Sequence, residues 1–212
     1  KVEHNDSTGA GGVIEEGGVQ WMTSGKGILH KEYHEKNFSK KGGDMQMVQL
    51  WVNLPAKDKM TEPKYQNIEN NDLAKVDLGN EIGSIEIIAG EFENNKGPAS
   101  SFTPLSLFNV KLNKGKGTSL SFNESHNTGL LIIKGNVTIN NSEKAPTNHF
   151  VLFENKGKEF TIKAEDEAEI LVLSGEPIDE PIASYGPFVM NTNEEIRQTI
   201  DDFNSGKFGY LD

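Results

Sequence analysis

The rhythm of short apolar runs and turn residues limits the fold of this sequence more than any other feature. Most apolar runs last only a few residues and are separated by Gly, Asn, Lys or Pro. In the second half, Asn113-Lys114-Gly115, Lys134-Gly135-Asn136 and Asn155-Lys156-Gly157 are typical separators. Short runs at such regular spacing favour antiparallel strands in a barrel or sandwich over helices. The sequence therefore predicts an all-β fold.

The first half has fewer clear strand signals. Short extended pieces broken by Gly-rich turns are predicted over residues 13–32. The clearest strand is predicted at Met45–Leu54, where apolar residues alternate from Val48 to Val52, and Pro55 ends it. Residues 55–72 are polar and are predicted to form a surface loop.

Strand signals resume after this loop, at residues 73–78 and 82–89. A Gly- and Asn-rich stretch at 91–101 is the best candidate for a domain boundary. From about Pro104 a second series of short strands begins, and it continues to about residue 173.

The tail changes from strand to helix signals. Thr192-Asn193-Glu194-Glu195 has the form of a capping box, in which Thr and Glu satisfy the first amide groups of a helix. Ile196, Ile200 and Phe203 follow at helical spacing, and Gly206 ends the segment. We expect one short C-terminal helix that packs its apolar side on a barrel.

Composition excludes several classes of function. The formal net charge is −11, which opposes binding to a nucleic-acid duplex or an anionic membrane. Arg197 is the only Arg, and bidentate readout of phosphate or guanine prefers Arg, so direct nucleic-acid binding is not expected. The absence of Cys excludes disulfides and thiolate sites. We expect a cytoplasmic protein that does not bind membranes.

Three stretches resemble the pirin family of the cupin superfamily. They are Gly17–Glu32 (GGVQWMTSGKGILHKE), Leu173–Ile182 (LSGEPIDEPI) and Tyr185–Phe208 (YGPFVMNTNEEIRQTIDDFNSGKF). The resemblance implies two antiparallel cupin-type β-barrels or sandwiches, the first incomplete at its N-terminus, with a short C-terminal helix. The implied division is 1–95 for the rest of the first barrel, 96–180 for the second barrel and 181–212 for the tail.

The resemblance also implies a metal site in the first barrel. The family's ligands are two His of a His-x-His pair and a later His-x-Glu, and His30-Lys31-Glu32 matches the second motif. Residues i and i+2 of a strand face the same side, so His30 and Glu32 can reach one ion. Imidazole and carboxylate suit Fe(II), and Mn, Ni, Zn or Cu are alternatives. By resemblance, Glu32 is also the candidate catalytic base.

No His-x-His pair occurs in the sequence. The resemblance places that pair before Lys1, so we expect an N-terminally truncated member in which metal binding is weak or absent. His4 and His34 have only a minor chance of acting as substitute ligands. In the second barrel the corresponding region, Glu124–Gly135, holds a lone His126 and no His-x-His pair. The resemblance implies that this barrel is free of metal. Trp21 and Met22 are expected in the barrel core, and Trp51 is expected to cover the opposite barrel face.

Three functions are open at this stage. An intact pirin-type site implies flavonol (quercetin) 2,3-dioxygenation, with Glu32 as ligand and base. A second possibility is a redox-sensing regulatory protein that binds transcription regulators or metabolic enzymes. A third is an inactive fragment that lacks half of the metal site. The expected partners are a flavonol-like small molecule or a regulatory protein, and the chain is expected to be a monomer unless an open barrel edge drives pairing.

Overall fold

The computed structural model describes residues 1–211 and consists mainly of antiparallel strands. The strands of the first part are β1 (Val2–Asp6), β2 (Gly11–Ile14), β3 (Val19–Thr23), β4 (His30–His34) and β5 (Lys64–Ile68). Those of the central part are β6 (Ala74–Asp77), β7 (Gly83–Ala89), β8 (Glu91–Phe92), β9 (Asn95–Lys96), β10 (Leu105–Leu112), β11 (Gly117–Ser121), β12 (Asn127–Lys134), β13 (Val137–Ile139), β14 (Glu143–Ala145), β15 (Phe150–Leu152), β16 (Glu159–Ala164) and β17 (Ala168–Gly175). The last part has β18 (Ala183–Tyr185) and β19 (Phe188–Met190), and the helices are α1 (Lys36–Lys41) and α2 (Asn193–Asn204).

The chain forms two compact units. Unit 1 contains residues 1–70 and the segment that starts at Ile178, and unit 2 contains residues 71–177. The first boundary differs from the sequence-based division at residue 95. The reason is that β7 pairs with both β6 and β10, which keeps residues 74–89 in the same sheet as the later strands.

Unit 1 contains three small sheets. Strand β1 is central in the first, with β2 on one side and β4 on the other. Strands β3 and β5 form a second pair, and β18 and β19 form a third. Along β1, Val2, His4 and Asp6 are buried, so one face of this strand points into the protein.

The tail of the chain is joined to the start of β4 by close packing. Gly27 has a φ of +117°, which L side chains rarely adopt, and a Cβ at this position would lie 2.2 Å from a ring carbon of Phe208. The Ser7 hydroxyl donates to the Phe208 carbonyl and accepts from the Leu29 amide. These contacts position the segment that leads into His30.

Helix α2 confirms the expectation from the capping box. The Thr192 hydroxyl accepts from the Glu195 amide, and the Glu195 carboxylate accepts from the Thr192 amide. Ile196 is the buried residue of this helix, which contacts β18 and β19. The helix therefore presents its apolar side to strands of unit 1, and its remaining surface is polar.

Unit 2 consists of two main sheets with a core between them. The six-stranded sheet has the order β15-β12-β17-β10-β7-β6, and the four-stranded sheet has the order β11-β16-β13-β14. One continuous cluster of buried apolar side chains draws on both sheets, with Phe108, Ile132 and Ile170 from the first and Leu120 and Ile162 from the second. The predicted strands of the second half are confirmed because alternation along each one marks its core-facing residues.

The strand predicted at Met45–Leu54 is wrong. Residues 42–55 contain no regular strand, and Trp51 is 67% exposed instead of covering a barrel face. Alternation of apolar residues predicts which side chains share a face, but a strand also needs a partner for its backbone groups. None of the strands described above pairs with this segment.

The prediction of a loop over residues 55–72 is also wrong in part. Lys64–Ile68 forms β5, which pairs with β3 from Val19 opposite Ile68 to Thr23 opposite Lys64. The polar sequence Lys-Tyr-Gln-Asn-Ile conceals this strand, because only Ile68 is buried. Among residues 1–211 there is no helix long and apolar enough to cross a bilayer.

Candidate metal centre

Strands β1 and β4 bring three metal-binding side chains together. The register places His4 opposite Glu32 and Asp6 opposite His30. In an antiparallel pair, residues directly opposite each other have side chains on the same face. The fold therefore aligns His4, His30 and Glu32 on one face of the sheet, although His4 is far from the other two in sequence.

The three side chains are close enough to share one ion. Nδ1 of His4 lies 3.7 Å from Oε1 of Glu32, and Nδ1 of His30 lies 3.9 Å from the same oxygen. One ligand atom from each residue lies within 4.8 Å of those of the other two. Two ligands at about 2.1 Å from an ion can be at most about 4.2 Å apart, so only a small side-chain adjustment is needed.

The three side chains of the cluster differ in how deeply they are buried. His4 is fully buried, whereas the side chains of His30 and Glu32 are partly exposed, at 36% and 24%. The His4 ring stacks on Tyr65 of β5, with ring centroids 4.5 Å apart and an angle of 3° between the planes. His4 is thus held against the interior, while His30 and Glu32 face the approach from solvent.

Gln20 of β3 bridges two of these side chains. Its Nε2 lies 2.7 Å from Oε1 of Glu32 and 2.9 Å from Nδ1 of His4. A carboxylate oxygen can only accept, so the amide presents its NH2 group to the cluster. The second hydrogen of this group then points to the lone pair of His4 Nδ1. The NH2 group therefore donates to Oε1 of Glu32 and Nδ1 of His4, the two atoms that a bound cation would contact.

Several buried polar atoms around the cluster have no hydrogen-bond partner within residues 1–211. They are Oε1 of Gln20 and the hydroxyl of Tyr65, together with Nε2 of His4 and Oδ2 of Asp6, which face each other at 3.6 Å, beyond hydrogen-bond distance. Unpaired buried polar atoms are costly and are uncommon in native proteins. Their concentration beside two imidazoles and a carboxylate fits a site that holds a metal ion and its bound solvent.

Burial and the nearby carboxylates alter the pKa of Tyr65, which stacks on His4. Burial raises the pKa of the Tyr65 phenol, and the negative charges of Asp6 and Glu32 raise it further. The phenol therefore stays protonated at neutral pH, and its O–H is available as a donor beside the cluster.

Comparison with known proteins identifies the family of the chain. The family model for pirin matches residues 1–52, and the model for the pirin C-terminal cupin domain matches residues 107–209. A protein of Pseudomonas aeruginosa, whose name assigns it provisionally to the quercetin 2,3-dioxygenases, is 43% identical over 208 residues, which cover 98% of this chain and 72% of that protein. The chain belongs to the pirin family.

Other relatives are similar over the same extent. A pirin-like protein of Solanum lycopersicum is 36% identical, over 98% of this chain and 70% of its own length. The crystal structure of a quercetin 2,3-dioxygenase from Acinetobacter baumannii is 44% identical and superimposes with a TM-score of 0.95. That match covers 100% of this chain and 73% of the Acinetobacter chain. The cupin-type fold expected from the pirin resemblance is therefore confirmed.

The structure brings some of the candidate ligands together in one cluster and leaves others outside it. His30 and Glu32 lie together, as expected for a pirin, and His4, which had only a minor chance of acting as a ligand, lies with them. His34 packs edge-on against Phe38 and lies outside the cluster found in residues 1–211. His126 lies in unit 2.

Three residues that contact the cluster were not predicted from the sequence. Gln20 and Tyr65 come from β3 and β5, and Asp6 lies two residues after His4. The spacing of His4 and Asp6 in one strand was a usable signal, since alternate residues share a face. The positions of Gln20 and Tyr65 depend on the pairing of β3 with β5, which the polar sequence of β5 conceals.

Proposed function

We propose that this pirin is a metal-dependent dioxygenase that acts on flavonols such as quercetin. The observation that supports it most is the cluster of His4, His30 and Glu32, whose ligand atoms lie within 4.8 Å of one another. The names of the Pseudomonas relative and the Acinetobacter structure point to the same substrate class.

The ligand set favours iron. Two His and one carboxylate with open positions are typical of non-haem Fe(II) oxygenases, and Mn, Ni, Zn or Cu are alternatives for the same donors. When bound, such an ion polarises and acidifies the hydroxyl of an oxygen-containing substrate. His4, His30 and Glu32 would hold it, with the buried His4 as the fixed ligand.

The protein side chains supply proton transfer and positioning. Glu32 lies on the partly exposed side of the cluster, where its carboxylate can accept the proton of a flavonol hydroxyl. Gln20 already donates to Glu32, and its amide can hydrogen-bond the substrate once it leaves this position. The Tyr65 hydroxyl, which is buried without a partner on the ring that stacks on His4, is a further donor.

Metal binding and turnover can be tested on the 212-residue chain itself. The chain is loaded with Fe(II) or Mn(II) without oxygen, the bound metal is counted by elemental analysis, and loss of flavonol absorbance is followed with oxygen uptake. We expect about one ion per chain and turnover of quercetin. Bound metal without loss of quercetin would overturn the dioxygenase proposal while leaving the metal centre in place.

Variants separate the roles of the ligands. Glu32→Gln should lower turnover by about 100-fold or more, because an amide can neither carry the ligand charge nor take the proton. His30→Ala should lower the bound metal as well as the turnover. Lys31 lies between His30 and Glu32 on β4, and its side chain faces the opposite side of the strand. The Lys31→Gln variant should therefore behave like the unaltered chain.

A further inference from the structure

Unit 2 contains a cavity that is separate from the metal centre. It has a volume of about 70 Å³ and lies where the β11–β12 connection meets the β15–β16 loop. One water needs at least 10–15 Å³ by this measure, so the cavity has room for about five water-sized groups. That is enough for the polar head of a small ligand and the adjoining edge of a ring.

A chain of three polar side chains reaches this cavity. The Thr128 and Ser174 hydroxyls lie 2.9 Å apart, and the Ser174 hydroxyl lies 3.4 Å from Nδ1 of His126. Thr128 and Ser174 are buried partners in β12 and β17, and His126 and Thr128 line the cavity. The chain therefore links the interior of the sandwich to the cavity wall.

The hydrogen bonds within this chain leave one donor and one acceptor at its ends. If Nδ1 of His126 accepts from Ser174, then Ser174 accepts from Thr128, and Nε2–H of His126 remains a donor. If Nδ1 donates instead, each bond reverses, Nε2 becomes an acceptor and Thr128 has a free hydroxyl hydrogen. In either case the chain is complementary to a group that has a donor beside an acceptor.

Three Phe side chains form the apolar part of the cavity wall, and the rest of the wall is mainly polar. Phe153 and Phe160 stack with centroids 4.5 Å apart, and Phe122 lies 6.1 Å from Phe160. The facing loop is held by the Gly157 amide, which donates to the Glu124 carboxylate at 3.0 Å. Aromatic faces bind planar groups, and a wall that is already ordered reduces the entropic cost of binding.

The charges around the cavity favour a neutral ligand. Three carboxylates and two ammonium groups line it, and the Lys156 ammonium is already paired with the Glu154 carboxylate. The net charge of the lining side chains is slightly negative, which opposes the binding of an anion. Nothing in the lining is arranged as a compact set of acidic groups around a cation.

We propose that this cavity binds a small, uncharged, planar carboxamide or lactam. The amide group has the donor and acceptor that the chain from Thr128 to His126 requires, and an attached ring lies against the half-buried Phe122 and Phe153. The proposal concerns unit 2 alone and is independent of the metal-dependent activity.

Benzamide is a suitable probe, and NMR of the whole 212-residue chain is the measurement. We expect saturable shifts of the His126 ring and of amides in 122–128 and 153–160, with a Kd on the order of 1 mM. Benzoate has the same shape but is an anion without the amide donor, so it should bind at least about 10-fold more weakly. No saturable shift with benzamide, or equal binding of benzoate, would overturn the proposal.

Variants distinguish a ligand site from a purely structural pair. Thr128→Val keeps the shape but removes the hydroxyl, and it should weaken benzamide binding by about 10-fold. Ser174→Ala, which breaks the chain at its centre, is the second variant in case the first does not fold. Thr138→Val removes an exposed hydroxyl bonded to Glu165 in the same unit and is the matched control. If both cavity variants only lower stability and leave benzamide affinity unchanged, Thr128 and Ser174 are a structural pair and the proposal fails.

Discussion

Asp6 uses its two carboxylate oxygens in different ways. Oδ1 accepts from the Thr8 amide and hydroxyl at 2.9 and 2.6 Å and from the Ala10 amide at 3.2 Å. Oδ2 faces Nε2 of His4 at 3.6 Å. Burial raises the pKa of Asp6, but the hydrogen bonds from Thr8 and Ala10 outweigh burial and the pKa lies below its usual value. The charged Oδ2 favours a hydrogen on Nε2 of His4, so Nδ1 carries the lone pair, which here accepts from Gln20 and which a cation can take over.

We predict that Asp6→Asn weakens metal binding by roughly 10- to 100-fold, as is usual for carboxylates that orient a His ligand. Asn keeps the oxygen that Thr8 and Ala10 need, but an NH2 group replaces Oδ2 and cannot accept from His4. The affinity for Mn(II) or Zn(II) is measured by competition with a coloured chelator. Asp77→Asn, whose carboxylate similarly accepts from the Gly79 amide in unit 2, is the control. Equal affinity in the Asp6 variant would show that Asp6 does not orient His4.

Some residues of the candidate site could be predicted from the sequence, and others could not. His30 and Glu32 were predicted together because their spacing in a strand and the family resemblance agree, and the structure places them in one cluster. His4 was given little weight, because its position opposite Glu32 follows from the β1–β4 register and not from any local pattern. Contacts across a sheet depend on which strands pair, and this information is not local in the sequence.

At the scale of elements, the segment Met45–Leu54 has apolar side chains but no strand partner. Met47, Trp51 and Val52 are 54%, 67% and 48% exposed. Strand β4 also pairs on only one of its two sides. Exposed apolar residues together with an open strand edge favour association with another chain.

We therefore predict that the 212-residue chain self-associates as its concentration rises. Val48→Lys combined with Val52→Lys should shift the equilibrium toward the monomer. Association through this segment would bury two ammonium groups, which opposes strand pairing. Sedimentation velocity over a range of concentrations gives the answer. Met60→Lys combined with Ile182→Lys, at residues that are 59% and 68% exposed and lie outside the strands, should leave association unchanged. A chain that remains monomeric throughout would contradict the prediction.

Elements whose signals are local were predicted well. Helix α2 was placed by its capping box, and the strands of unit 2 by alternation between turns. Strand β5 was missed because its polar residues resemble a loop, and Met45–Leu54 was wrongly assigned because alternation was taken as sufficient. Both errors come from pairing, which tertiary structure decides.

At the scale of the whole molecule, stability at low pH depends on buried carboxylates. Glu86 in unit 2 is 5% exposed and accepts from Asn109 and Lys111, each at 3.0 Å. Burial raises the pKa of Glu86, but the hydrogen bonds from Lys111 and Asn109 lower it more, and the pKa lies below its usual value. A lowered pKa in the folded state adds stability above the pKa of the unfolded state, and this is lost as the pH falls through the folded pKa.

We predict that Glu86→Gln lowers the free energy of unfolding at pH 7 by about 1–3 kcal/mol and makes it less dependent on pH in the acidic range. Urea unfolding at several pH values between 7 and 3 measures both effects. Glu167→Gln removes an exposed carboxylate paired with Lys134, so it should change stability by less than about 1 kcal/mol. Parallel pH profiles for the native chain and the Glu86 variant would show that Glu86 adds no such stability.

The division of unit 1 between the two parts of the chain has a consequence for biosynthesis. All residues of the metal cluster lie in the first part, but the start of β4 is fixed by Phe208, through Gly27 and Ser7. Unit 2 is continuous and can fold while the ribosome is still adding residues, whereas unit 1 must wait for the tail. The metal centre should therefore mature last, after translation has passed Phe208.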